Sequence, residues 1–308
     1  MLVDCRAEVG EGPLYDAARH LLYWVDIPRG RLWRSDLATG EVTSRDIGEP
    51  LGSVALVEGG ALLLATRSGI RVLPRWPDGT TGEPALWRAV EPDLPTQFND
   101  GKCDAQGRFV AGTAASSPDR PHQGTLYRVD QDGAVVPLFG GIGMSNGLDW
   151  SPDDRYFYHV DTLAGLVTRH RWDPEVGVPS HPEPFVQVPR SEGLPDGLSV
   201  DAEGFLWLAL WGGGQVRRYD PAGRLDRVVG LPTPNVTSCV FGGPDLTDLY
   251  VTTAAHGQDA SDRLAGAVFV ADVGVPGQPR PAFLNGAVSR VTALSTGLLT
   301  VDEPNHHP

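Results

Sequence analysis

The sequence predicts an all-β fold, a six-bladed β-propeller with four-stranded blades, closed by the N-terminal strand. Three observations lead there. A unit made of Gly, a short apolar and basic strand and an Asp- or Pro-containing turn recurs six times. A hairpin of two short strands precedes each copy, and the spacing of roughly 40 to 50 residues is that of a propeller blade. No long stretch carries a helical period, whereas strand-length alternation bounded by turn residues is everywhere.

Each blade follows in order. PLYDAARHLLYWVD and then GRLWRSDLATG from Gly30 predict the first, and VALVEGGALLLAT with GIRVLPRWPDG from Gly69 the second. KCDAQGRFVAGT from Lys102 leads into GTLYRVDQDG from Gly124, and LDWSPDDRYFYHVD into GLVTRHRWDPEVG from Gly165. LSVDAEGFLWLAL from Leu198 precedes GQVRRYDPAGR from Gly214, and CVFGGPDLTDLYVTT precedes GAVFVADVGVPG from Gly266. The alternating segment 3–9 is expected to pair with the last blade near 281–284 and so remove an exposed sheet edge. The propeller is therefore assigned to 1–285. Residues 286–308 fit no blade and are read as a C-terminal extension in which His306 and His307 have no metal role.

Composition narrows the function classes. The 308 residues include 38 Gly and 27 Pro without a low-complexity run, as a turn-rich fold requires. The net charge of −14 argues against nucleic acid or an anionic membrane as partner, since both need clustered Lys and Arg. Cys5, Cys103 and Cys239 are widely separated and form no C-x-x-C, so neither a zinc knuckle nor a disulfide framework is expected. The start carries no secretory h-region and no apolar run is long enough for a bilayer, which together predict a cytoplasmic protein.

The repeats differ where each blade begins. The first strand of a propeller blade lines the channel, so equivalent starts from six blades converge. These read Glu11-Gly12, Leu51-Gly52, Asp100-Gly101, Asn146-Gly147, Asp196-Gly197 and Thr237-Ser238. Asp or Asn before Gly is a common turn signal when met singly. Glu11, Asn146 and Asp196 at one level, however, place two carboxylates and an amide in a narrow ring, and two buried carboxylates repel unless a proton or cation intervenes. An all-oxygen set suits one divalent ion, Ca²⁺, Mg²⁺ or Mn²⁺, and also Zn²⁺ less selectively. Three protein ligands leave positions open for water and substrate.

At these residues the chain resembles the SMP-30/gluconolactonase/luciferin-regenerating-enzyme family, the regucalcin-like sugar lactonases. The resemblance runs from about residue 8 to 279 through GEGP (Gly10–Pro13), YWVDI (Tyr23–Ile27), FNDGKCD (Phe98–Asp104), SNGLDWSPD (Ser145–Asp153) and LPDGLSVDAEGFLW (Leu194–Trp207). It implies a six-bladed propeller whose metal is held by Glu11, Asn146 and Asp196. It also implies that Asn99, rather than Asp100, lies beside substrate and metal. The family's Arg is replaced here by Gln97, a neutral donor and acceptor where a charged fork is usual. The loop after Gly112 is shorter than in regucalcin-like members, and Asp119 is the candidate to replace its acidic sugar contact.

The expected reaction is hydrolysis of a small-molecule sugar lactone, such as glucono-, xylono- or arabinonolactone, to the aldonic acid. Asp196 is the expected catalytic group, and Asn99 and Gln97 the substrate-binding ones. No G-x-S-x-G, H-E-x-x-H or P-loop appears, and Ser145 has no His near it in sequence, which argues against a serine hydrolase. His122 and His159 are read as structural, as are Asp26 and Asp149. Trp207 and Trp211 are read first as core or channel wall. The alternatives are a regucalcin-like calcium-binding regulatory protein, a metal-dependent hydrolase of a non-sugar ester, and an interaction scaffold, which has no need of buried charges at a channel end. Oligomeric state is left open.

Overall fold

The computed structural model describes residues 1–74, 76, 82–115, 122–284, 286 and 288. Its strands form six antiparallel sheets, each in simple sequential order, around a central channel. The innermost strands are Gly10–Asp16, Leu51–Leu56, Thr96–Cys103, Ser145–Trp150, Leu194–Val200 and Val236–Gly242. Each packs beside the next, and the sixth packs beside the first. This is the six-bladed propeller that the repeats predict.

The local chemistry of the turns explains the regularity. In the D-A-x-G hairpins the Asp carboxylate accepts the backbone N–H two residues on: Gln106 on Asp104 at 3.0 Å and Glu203 on Asp201 at 3.0 Å. Such Asx turns reverse the chain without help from the core. Gly107 and Gly204 follow with φ of 69° and 83°, which a side chain would resist. Outer turns repeat the device at Asp36, Asp132, Asp173, Asp220 and Asp272.

No single core exists. Six apolar clusters lie one at each blade–blade interface, for example Leu63, Phe98 and Phe109 between blades two and three. Inner and second strands are buried on both faces, which is why LLYWVD and LWLALW read as continuous apolar runs.

Closure departs from expectation in one respect. Five blades have four strands, whereas the last has three, Val236–Gly242, Asp248–Thr253 and Phe269–Asp272. The N-terminal segment takes the fourth place by an antiparallel bridge of Val3 with Val268, and Ala7 donates to Gly266 at 2.9 Å. It does not meet 281–284. That segment instead runs across the far mouth of the channel over the hairpin turns. Gly277 donates to Leu246, Phe283 bridges Val57, and Leu284 donates to Gly107. The reason is geometric: the free edge of Phe269–Asp272 extends back through Gly266, and the chain after Gly274 has already turned away from it. Beyond 284, Val288 is buried with Phe283 against blades two and three. The rest of 286–308, His306 and His307 included, and Asn285 lie outside the described residues, apart from Gly286.

Candidate metal centre

The site is built by strand register. Tyr15–Leu22, Cys103–Phe109, Trp150–Phe157 and Val200–Leu206 pair beside their hairpins. The fourth residue back along each inner strand is Glu11, Asn99, Asn146 and Asp196. The same step from Leu56 and Phe241 reaches Gly52 and Thr237. All six inner strands carry a register shift at this level. A β-bulge bends its strand and re-aims the side chain there, so the ring of shifts turns one level of residues toward the channel mouth. Register therefore places Asn99, not Asp100, level with Asn146 and Asp196. It also corrects blade two, where Gly52 takes the place in line. A Cβ on Gly52 would stand 2.3 Å from the Phe98 carbonyl oxygen, so this part of the ring closes only on glycine.

Glu11, Asn146 and Asp196 come together. They are 3 %, 4 % and 5 % exposed. Glu11 and Asn146 are both near enough to act on the Asp196 carboxyl. The Gly12 N–H donates to Glu11 Oε2 at 2.6 Å, and Asn146 Nδ2 donates to Thr162 Oγ1 at 3.2 Å. Two acceptors are left over: Glu11 Oε1 and Asn146 Oδ1 are buried without a donor. Burial first, then the neighbouring Asp196 and Asp100, hold the Glu11 carboxyl well above the usual carboxylate range. Burial and then Asp100 do the same to Asp196. Asp100, one residue beyond the ring, is pushed up to about 6, mainly by burial, with Lys102 pulling the other way.

Orphaned acceptors beside two crowded carboxyls are a donor set waiting for positive charge. Among the described residues no three His, Cys, Asp or Glu cluster as ligands; the available set is two carboxylates and one amide oxygen. Oxygen donors of this kind fit a hard divalent cation.

The remaining predicted residues separate. Asn99 is half-buried, and its Nδ2 donates to the Ser145 carbonyl at 2.9 Å. Gln97 is half-buried two residues earlier on the same strand face. Asp119 lies outside the described residues. Trp207 is core and donates to Asp201 at 2.8 Å, whereas Trp211 is half-buried at the end of its strand beside the His256 ring. Asp26 is bound to Glu8 and Val9 backbone N–H groups.

The sequence missed a partner for Ser145. Its Oγ is 2.8 Å from His159 Nε2, although fourteen residues separate them. Paired strands bring them together, and no linear motif signals it. Both side chains are buried, and burial lowers His159 to about 3, so the ring is neutral. Phe139 and Phe157 flank the His159 ring and, among the described residues, no carboxylate orients it, which makes the pair a support for the inner strand.

Below the ring the channel changes character. Asp149 receives Lys102 Nζ at 3.1 Å, the Val200 N–H at 2.9 Å, and an ion pair from Arg280 of the crossing C-terminal segment. These groups wall a cavity of about 400 Å³ that also touches Leu14, Phe241 and Pro279. The cavity includes Asp100 and excludes Glu11, Asn146 and Asp196, so it is the lower channel rather than the site.

Known proteins share this arrangement of sequence. The profile described as SMP-30/Gluconolactonase/LRE-like region matches residues 9–255. Pentonolactonase XacC of Haloferax volcanii is 40 % identical over 286 residues, covering 90 % of this chain and 95 % of that protein. Regucalcin of Xenopus laevis is 39 % identical over 258 residues, 82 % of this chain and 85 % of its own. A crystal structure of regucalcin from Agrobacterium tumefaciens, described as a calcium-binding protein, superposes with a TM-score of 0.85. It has 30 % identity and covers 92 % of this chain and 96 % of its own. A profile matched over most of the chain, and relatives aligned over most of theirs, place the protein in the SMP-30/gluconolactonase/LRE-like family.

Proposed function

We propose that the protein is a divalent-metal-dependent sugar lactonase that opens an aldonolactone to its aldonic acid. The observation that carries this reading is the pair of buried, unpaired acceptors, Glu11 Oε1 and Asn146 Oδ1, beside Asp196 at the channel mouth. The pentonolactonase relative, aligned over nearly its whole length, supports the reaction class. Glu11, Asn146 and Asp196 hold one ion, Ca²⁺, Mg²⁺, Mn²⁺ or Zn²⁺. When bound, it supplies Lewis-acid polarisation of a carbonyl oxygen.

The chain's own residues do the rest. Asp196 takes a proton from water as that water adds to the lactone carbonyl carbon. The ring C–O bond then breaks and the proton passes to the departing ring oxygen, giving a hydroxyl and a carboxylic acid; the acid loses its remaining proton to solvent and leaves as the carboxylate. Asn99 has its amide N–H on the Ser145 carbonyl, so its Oδ1 is the atom free to accept a sugar hydroxyl. Gln97 offers both a donor and an acceptor to a polyhydroxylated ring. The three cysteines are free thiols, in keeping with a reducing, cytoplasmic setting. No helix of the described residues is long and apolar enough to cross a membrane.

Acid release from glucono-, galactono-, xylono- and arabinonolactone, followed with a pH indicator on chelated protein resupplied with each ion, tests the reading. Turnover is expected to return with metal and to vanish in Asp196→Ala. No turnover with any lactone while metal still binds would overturn the lactonase and favour a calcium-binding role, as the regucalcin relatives suggest, or a non-sugar ester.

A further inference from the structure

Three hydrogen bonds share an unusual address. Thr237 Oγ1 donates to the Gly10 carbonyl at 2.5 Å, Asn99 Nδ2 to the Ser145 carbonyl at 2.9 Å, and Thr162 Oγ1 to the Pro195 carbonyl at 2.8 Å. The accepting residues immediately precede Glu11, Asn146 and Asp196. In each case the donor comes from the preceding blade: six to one, three to four, four to five. Each ligand is thus pinned from the neighbouring blade at the backbone atom next to it.

Thr162 does more than the other two. It is 5 % exposed and lies between two ligand-bearing strands. Its hydroxyl has one proton, and the Pro195 carbonyl can only accept it. Toward Asn146, Thr162 therefore acts only as acceptor, and only the amide nitrogen can face it. Asn146 Nδ2 stands 3.2 Å away, as this requires, which leaves Oδ1 as the amide atom that is buried without a partner. One hydroxyl orients the amide of Asn146 and anchors the backbone before Asp196.

We infer that Thr162 is a positioning residue that presets Asn146 Oδ1 and Asp196 for the cation, with Thr237 anchoring the backbone beside Glu11. The inference rests on the metal reading given above. It assigns a function to blade–blade joints that carry no ligand themselves. Partners of this kind typically change metal affinity 10- to 100-fold when removed.

The test is calorimetric titration of Mn²⁺ and Ca²⁺ into chelated full-length protein, with thermal midpoints recorded metal-free. Thr162→Val keeps the shape and loses the hydroxyl; it is expected to weaken binding about 10- to 100-fold. Thr162→Ser is expected to restore binding to near the wild-type value. A purely structural threonine would lower the metal-free midpoint without this loss and rescue. Thr237→Val repeats the test at Glu11 should Thr162→Val fail to fold. Wild-type affinity in both valine variants overturns the inference and leaves the metal reading standing. A wild-type protein that binds neither ion overturns both.

Discussion

The two ends of the central channel bury acidic groups in opposite ways. At the lower end Asp149 is compensated: Lys102, Arg280 and two backbone N–H groups, of Trp150 and Val200, surround it. At the upper end burial and other carboxyls outweigh the Gly12 N–H on Glu11 and the Asn146 amide beside Asp196, and two acceptors have no donor. Both ends rise from the same inner strands, three residues apart in the case of Asn146 and Asp149. A buried acid that the protein satisfies by itself serves the fold. One that it leaves unsatisfied costs stability and persists where an outside cation completes it.

The largest expected effect is at the uncompensated end. Asp196→Asn removes the proposed base and one anionic ligand, and kcat/KM with a lactone is expected to fall about 10²- to 10⁴-fold. The same change relieves crowding among carboxyls, so the metal-free protein is expected to melt higher than wild type. A lower midpoint in metal-free Asp196→Asn would mean that the upper end is compensated after all.

The next effect is at the lower end and has the opposite sign. Asp149→Asn leaves Lys102 and Arg280 facing a neutral amide in a buried place, a loss of about 3–5 kcal/mol by analogy with other broken buried pairs. Both cations are partly exposed, so the lower figure applies. Denaturant unfolding measures it. Metal affinity is expected to stay near wild type, because Asp149 contributes no donor to the ring; a large loss of affinity would merge the two ends into one network.

The pH dependence of the metal-free protein comes third. Glu11, Asp100 and Asp196 have raised pKa values, so the folded state binds more protons than the unfolded chain between the ordinary carboxylate range and the raised values. In that window stability falls as pH rises. For Asp100 the window runs from 3.8 to about 6. Chelated protein is therefore expected to gain stability on acidification from neutrality to about pH 5, until other carboxylates titrate. Saturating metal reverses the trend, since binding requires the deprotonated groups. At a free ion concentration one hundred times Kd the added stability is about 2.7 kcal/mol. Thermal scans from pH 5 to 8 with and without metal distinguish the two slopes. A metal-free midpoint that rises with pH would contradict the crowding of carboxyls.

Much of this contrast is legible in sequence, and the remainder has physical reasons for being hidden. Blade number follows from the repeats because every blade buries the same faces and reuses the same Asx turns. Glu11, Asn146 and Asp196 stand out because they break an otherwise uniform repeat. The bulge is what conceals Asn99: a one-residue shift in pairing leaves no mark in NDG, and Asp100 looks equally suited until register is known. The Asp149 partners are hidden for a different reason. Arg280 comes from a segment outside the repeats, 131 positions along the chain, and linear spacing says nothing about a plug across a channel. Ser145 and His159 meet only through strand pairing.

Gln97→Arg gives the smallest effect and the sharpest view of where the upper end stops. It supplies a cation to the mouth that carries the uncompensated carboxyls, at a half-buried position in reach of water. An exposed or half-exposed charge pair is worth about 1 kcal/mol or less and weakens with salt. Metal affinity is therefore expected to fall by less than about tenfold, an effect lost at high ionic strength. The KM for a lactone is expected to change more than kcat, because a guanidinium fork binds ring hydroxyls differently from a primary amide. Titration of Mn²⁺ at low and high salt, beside steady-state kinetics, separates these. A kcat change as large as that of Asp196→Asn would move position 97 from substrate binding into the chemistry. Complete loss of metal binding would mean that the Arg reaches Glu11 and Asp196 and compensates them as Lys102 and Arg280 compensate Asp149.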